Sequence, residues 1–210
     1  QFNTWIAYSG NHKLSEKYRL HTEYQWRRSE FMKHWQQSLA RIGIDYYFNN
    51  SDYVSVGYGW IVTFPYGEQP ILRQFNEHRF WQQLNLKSIS DIKIRSIEVQ
   101  NRYRLEQRFL ENYYINSSQE LVKGETSFRQ RIRYRAMLLI PLNNRTLIDK
   151  TLFLNVNDEV FLGFGEGIGK NILDQNRFNV SMGWKFDNNF NIQVGYMNQF
   201  IVKSDGVKIE

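Results

Sequence analysis

The stretch QNRYRLEQRFLEN, residues 100–112, decides the fold. Arg102, Arg104, Glu106 and Arg108 occupy every second position, and Tyr103, Leu105, Gln107 and Phe109 fill the gaps. A period of two marks a β-strand, whose successive side chains point to opposite faces. One face of this strand is charged and the other mostly apolar, so the strand separates two environments.

The same alternation recurs along the chain. In 127–140, Arg129, Arg131, Arg133 and Arg135 oppose Phe128, Ile132, Tyr134, Ala136, Leu138 and Ile140. In 17–27, Arg19, His21, Glu23, Gln25 and Arg27 oppose Tyr18, Leu20, Tyr24 and Trp26. Segments 53–62, 151–162, 177–186 and 190–200 alternate as cleanly, and 4–14, 37–47 and 76–86 more raggedly. That makes ten candidate strands. Short connections are expected at LSEK (14–17), NNSD (49–52), SISD (88–91) and DNN (187–189), all rich in turn residues. Long ones are expected at 65–74, 111–126 and 163–176. Ile92 and Ile94 break the parity of the strand that follows, which a bulge or turn near Arg95 would repair. No linker or repeat divides the chain, so 1–210 reads as a single domain.

A soluble β-sandwich also alternates, with its apolar face buried and its polar face wet. It leaves unexplained the 16% aromatic content and the short turns alternating with long loops. A barrel in lipid explains both. Every backbone N–H and C=O must be paired there, so the sheet closes on itself. The outer face is apolar with Trp and Tyr near the interfaces, and charges collect inside. An Arg facing mid-bilayer costs about 2–4 kcal/mol, so the four arginines of 129–135 must face inward. The expected fold is all-β: an antiparallel transmembrane β-barrel of about ten to twelve strands, with short periplasmic turns and longer extracellular loops. No run of residues approaches the length of a membrane helix, and the opening QFNTW reads as a mature start after leader removal.

The chain resembles an uncharacterised family of bacterial outer-membrane β-barrels, mostly from Bacteroidota, named domain of unknown function twenty-four-ninety. The resemblance is carried by TWIAYSG (4–10), LHTEYQWRR (20–28), GYGW (57–60), FNEHRFWQQL (75–84), RYRLEQRFLEN (102–112), RIRYR (131–135), NDEVFLGFG (157–165), DQNRF (174–178) and GYMNQF (195–200). It implies an outer-membrane location, contact with membrane lipid and lipopolysaccharide, and no established activity. Such proteins usually end in a further amphipathic strand closing with an aromatic residue. KSDGVKIE (203–210) reads instead as a loop.

Parity places fourteen cations inside: Lys13, Arg19, Arg27, Arg41, Arg79, Arg102, Arg104, Arg108, Arg129, Arg131, Arg133, Arg135, Arg177 and Lys185. Against them stand six carboxylates, Glu23, Asp45, Glu77, Glu98, Glu106 and Glu159. Two readings follow. The interior passes or binds small anionic solutes, as rings of Arg do in pores. Alternatively, Arg–carboxylate pairs fill a non-conducting structural barrel, docked to other outer-membrane proteins.

Other chemistries are weaker. Without cysteine there is no disulfide, thiolate metal site or cysteine nucleophile. No metal motif or cofactor is expected. GFGEGIGKN (163–171) fails the phosphate-loop template, because Phe164 replaces the first glycine and Asn171 the Ser/Thr. It reads as an external loop. The net charge of +6 suits nucleic acid, but the arginines are spread over many strands rather than gathered in one patch, so no nucleic-acid partner is expected. A lipid hydrolase would need a Ser and a His within hydrogen-bond reach, for which Ser38 and His78 are the candidates. No catalytic residue is assigned.

Overall fold

A computed structural model describes residues 3–30, 32–66, 71–92, 94–165, 172–202 and 208–209. The strands are β1 (Asn3–Lys13), β2 (Tyr18–Ser29), β3 (His34–Tyr47), β4 (Tyr53–Thr63), β5 (Phe75–Ile92), β6 (Arg95–Leu110), β7 (Tyr113–Ile115), β8 (Leu121–Lys123), β9 (Ser127–Pro141), β10 (Thr151–Phe164), β11 (Leu173–Lys185), β12 (Asn191–Val202) and β13 (Lys208–Ile209). Strands β7 and β8 form a separate hairpin inside the connection between β6 and β9. The ten long strands pair antiparallel, each with its neighbour in the order β1-β2-β3-β4-β5-β6-β9-β10-β11-β12. The resulting sheet curls through 270° into a half-barrel. Among the described residues, no pairing joins β1 to β12.

The alternation dictates which face is which. The concave face buries Arg27, Arg41, Asp45, Glu77, Arg79, Arg104, Glu106, Arg131, Arg133 and Glu159. The convex face exposes Ile42, Val56, Phe80, Tyr103, Phe109, Phe128, Ile132, Tyr134, Met182 and Val194. This inverts the arrangement of a water-soluble protein, in which Arg and Glu are almost never fully buried unless paired. Aromatic pairs tile the convex surface: Tyr103 with Tyr134 at 5.0 Å and Phe109 with Phe128 at 5.1 Å between centroids. Both are cross-strand neighbours, the unit through which a sheet face is stabilised.

Connections segregate by end. Those at 14–17, 48–52, 93–94 and 186–190 are short and share one end with 142–150. The opposite end carries 30–33, 64–74, 111–126 and 165–172. Three details differ from the sequence expectation. SISD (88–91) is not a turn: β5 runs on to Ile92, and Ser88 to Asp91 pair with Val99 to Ser96. The β5–β6 hairpin therefore projects past β4, whose pairing with β5 stops at Tyr53–Asn85. The connection 142–150 is long for its end, and packs back on the hairpin through the Ser96 amide, which donates to the Arg145 carbonyl at 2.8 Å. Within KSDGVKIE, Lys208 and Ile209 pair with Val202 and Ile201, so part of the expected loop is strand. The rest of that segment, and 166–171 of the glycine-rich stretch, lie outside the described residues.

Candidate functional site

The register sets an electrostatic problem. On β6 and β9, Arg102 lies opposite Arg135, Arg104 opposite Arg133, and Arg108 opposite Arg129. Like charges directly opposite on paired strands are destabilising. The side chains resolve this by reaching diagonally. Glu106, 0% exposed, is the hub: its carboxylate accepts from Arg131 Nη2 and Arg133 Nη1, each at 2.6 Å, while Arg79 Nη1 stands 3.5 Å away. Glu77 takes Arg79 at 2.5 Å and Arg108 at 2.8 Å. Glu159 takes Arg133 at 2.7 Å, and Arg102 as well. Glu23 takes Arg41 at 3.0 Å, with His21 at 3.6 Å. Glu98 stands apart toward the short-turn end, bound by Lys87 at 2.7 Å.

Aromatic rings take up part of the surplus. Arg133, Arg177 and Arg131 lie 4.4, 4.8 and 5.0 Å from the centroid of Phe161. Arg27 and Arg177 lie 3.8 and 5.0 Å from Trp5, and Arg104 lies 4.8 Å from Trp81. A cation over a ring face is attracted by the quadrupole, more strongly where water is excluded. Trp81 needs room for its indole on the crowded concave face. Glycines on two neighbouring strands supply it: a Cβ on Gly43 would stand 2.7 Å from the indole, and one on Gly57 would collide with it. Sequence reasoning assigned aromatics to the outer face and missed Trp5, Trp81 and Phe161. Their parity with Arg27, Arg79 and Glu159 was the available signal, strengthened by Gly43 and Gly57 opposite Trp81.

Nine of the twelve arginines expected inside (Arg27, Arg79, Arg102, Arg104, Arg108, Arg131, Arg133, Arg135 and Arg177) lie on strands β2, β5, β6, β9 and β11 with concave-facing parity. They divide into two groups. Arg102, Arg104 and Arg135 lie nearer the short-turn end. The others converge on a cavity of about 240 Å³ at the long-loop end. Eight arginines line it: Arg27, Arg41, Arg79, Arg108, Arg129, Arg131, Arg133 and Arg177. Among the described residues the lining holds a single carboxylate, Asp174, which pairs with Arg131 at 2.7 Å. Arg27, Arg129 and Arg177 have no carboxylate within ion-pair distance among the described residues. Nε of Arg41 and of Arg177 is buried without a hydrogen-bond acceptor. Arg27 is held instead by neutral groups, its Nη1 donating to Gln37 Oε1 at 2.7 Å, and Trp5 Nε1 is fixed on Gln36 at 2.9 Å.

At the rim, Glu111 ties the β7–β8 hairpin to the sheet. It accepts from Lys123 Nζ at 2.6 Å and from the Asn76 amide at 2.9 Å, and these bonds hold its carboxyl down at about 2. The hydrolase candidates do not meet. His78 Nδ1 is bonded to Tyr58 Oη at 2.6 Å and Ser38 Oγ to Tyr24 Oη at 3.2 Å. Among the described residues no three His, Asp or Glu form a metal-binding group, and no helix is long and apolar enough to cross a membrane, which says nothing of crossing by strands.

Fold and site together define an antiparallel β half-barrel with an apolar convex face and a basic, arginine-lined interior. The chain belongs to the family described as Protein of unknown function (DUF2490), whose model matches residues 2–210. No curated protein and no solved structure matches it.

Proposed function

We propose that this protein resides in the bacterial outer membrane, with its convex face in lipid, and that its arginine-lined cavity captures anionic groups. The observation that carries the reading is the imbalance at the cavity: among the described residues, eight arginines stand against one lining carboxylate, and three of the eight have no carboxylate partner. Of these three, Arg27 is buried, Arg177 part-buried and Arg129 exposed; burying an unpaired cation is expensive, and a bound anion would offset that cost. Arg favours phosphate and carboxylate ligands because its planar fork donates two parallel hydrogen bonds.

Binding is favoured over passage. Beyond the cavity, toward the short-turn end, the interior is filled by Glu106 and Arg104, by Trp81 at 1% exposure, and by Phe153 at 2%. The same filling favours a second reading, a non-conducting structural barrel held shut by charge pairs. Titration with inorganic phosphate separates the two. The capture reading expects saturable binding at low ionic strength that Arg27→Gln weakens. The structural reading expects none. Planar-bilayer recording should give no steady conductance under either, and anion-selective channels would restore the pore reading.

A further inference from the structure

The cavity reaches both outermost long strands of the sheet, β1 and β12, of which β12 is covered by β13 only at Ile201 and Val202. Trp5 on β1 lies on one side of it, and Gln199 and Ile201 on β12 lie on the other. Both strands are poor in charge, as β4 also is. β12 has no Asp, Glu, Lys or Arg, and β1 has none before Lys13. Along the concave side of the edges run Ala7 and Ser9 on β1 and Gly195 and Met197 on β12, neutral residues whose parity matches Gln25, Glu23, Ser181 and Asn179. Ala7, Ser9 and Gly195 are exposed. Among the described residues, a cationic chamber thus opens onto a slot flanked by the neutral Ala7, Ser9, Gly195 and Met197, and the slot faces the medium that the convex surface faces.

We infer that the ligand is a membrane-resident amphiphile: its phosphate head sits among Arg27, Arg129 and Arg177, and its acyl chains leave through the slot between β1 and β12. The inference rests on the proposed membrane location and anion capture, and adds the class of ligand and its route. Free phosphate satisfies the arginines but leaves the slot unused. An amphiphile uses both, because each methylene kept out of water adds to binding. The head group can enter sideways from the outer part of the bilayer, since among the described residues β1 pairs with neither β12 nor β13.

The test is calorimetric titration of the detergent-solubilised protein with two ligands, inorganic phosphate and dioleoylphosphatidic acid in neutral micelles. The lipid should bind at least about tenfold more tightly than phosphate. Arg177→Gln should weaken both. Ala7→Asp and Met197→Asp, made separately, should weaken the lipid by about tenfold and leave phosphate unchanged. Equal affinity for the two ligands would overturn the inference and leave anion capture standing. Lipid binding untouched by both aspartates would also overturn it. Binding of neither ligand would overturn anion capture along with it.

Discussion

The wall formed by β5, β6, β9 and β10 and the two edge strands β1 and β12 obey the same period of two but solve different problems. On the wall, many concave positions are Arg and Glu, and the shortest ion pairs of Glu106 and Glu159 run to other strands. Glu106 on β6 takes Arg131 and Arg133 from β9, and Glu159 on β10 takes Arg133 from β9 and Arg102 from β6. The ion pairs therefore stitch non-adjacent as well as adjacent strands. On the edges the concave positions Ala7, Ser9, Gly195 and Met197 are small or neutral, and among the described residues no ion pair joins β1 to β12. Trp5 bridges the opening, lying between Arg27 on β2 and Arg177 on β11. The difference teaches that the interior charges hold the curl of the wall, whereas the edges are left able to part.

Breaking the hub should have the largest effect. Glu106→Gln leaves its arginines buried without their shared carboxylate, and removing one partner of a buried pair costs about 3–5 kcal/mol. Urea unfolding in detergent or vesicles measures it. The edge counterpart Ser9→Ala should stay within about 0.5 kcal/mol. Equal losses at the two sites would erase the distinction between wall and edge.

Next comes the convex face of the same wall. Ile132→Arg should cost about 2–4 kcal/mol for folding into a bilayer. At an exposed position in water, the same change would stay within about 0.5 kcal/mol. Smaller again is Gly57→Ala. Its Cβ would meet both the Trp81 indole and the Ile42 carbonyl, and overpacking of this kind costs about 1–3 kcal/mol. Trp81→Leu in the same background should recover part of the loss.

The smallest effect is at the rim. The Glu111 carboxyl, held at about 2 in the folded protein against 4.5 ordinarily, gives stability that is fully present above 4.5 and is lost as pH falls toward 2. For a pair largely open to water this amounts to less than about 1 kcal/mol. Hydrogen exchange should show residues 113–123 loosening between those pH values while the β6–β9 ladder stays protected. Lys123→Met should remove most of the pH dependence.

Strand identity and facing were legible in the sequence because the charges of β6 and β9 admit only one facing. Arg102, Arg104 and Arg108 could not share a surface with Tyr103 and Phe109. The SISD turn was misplaced because Ser and Asp favour turns locally, whereas here the pairing of Ser88 with Val99 and Ser90 with Ile97 extends the hairpin. Of the site, the arginines were readable but their sorting was not. Parity assigns a side chain to a face and says nothing of height along the barrel, which decides that Arg177 and Arg27 meet at Trp5 whereas Arg135 lies elsewhere. The role of Phe161 was hidden for a further reason. An aromatic among charges looks like an error of parity until three guanidinium groups are seen around it.

The central claim is that the convex face meets lipid. Its most direct test is to refold the urea-unfolded protein in the presence of phosphatidylcholine vesicles, then follow flotation and gel mobility with and without boiling. The account predicts protein that floats with the vesicles and migrates differently once boiled. A monodisperse, folded protein in buffer without detergent or lipid would contradict it.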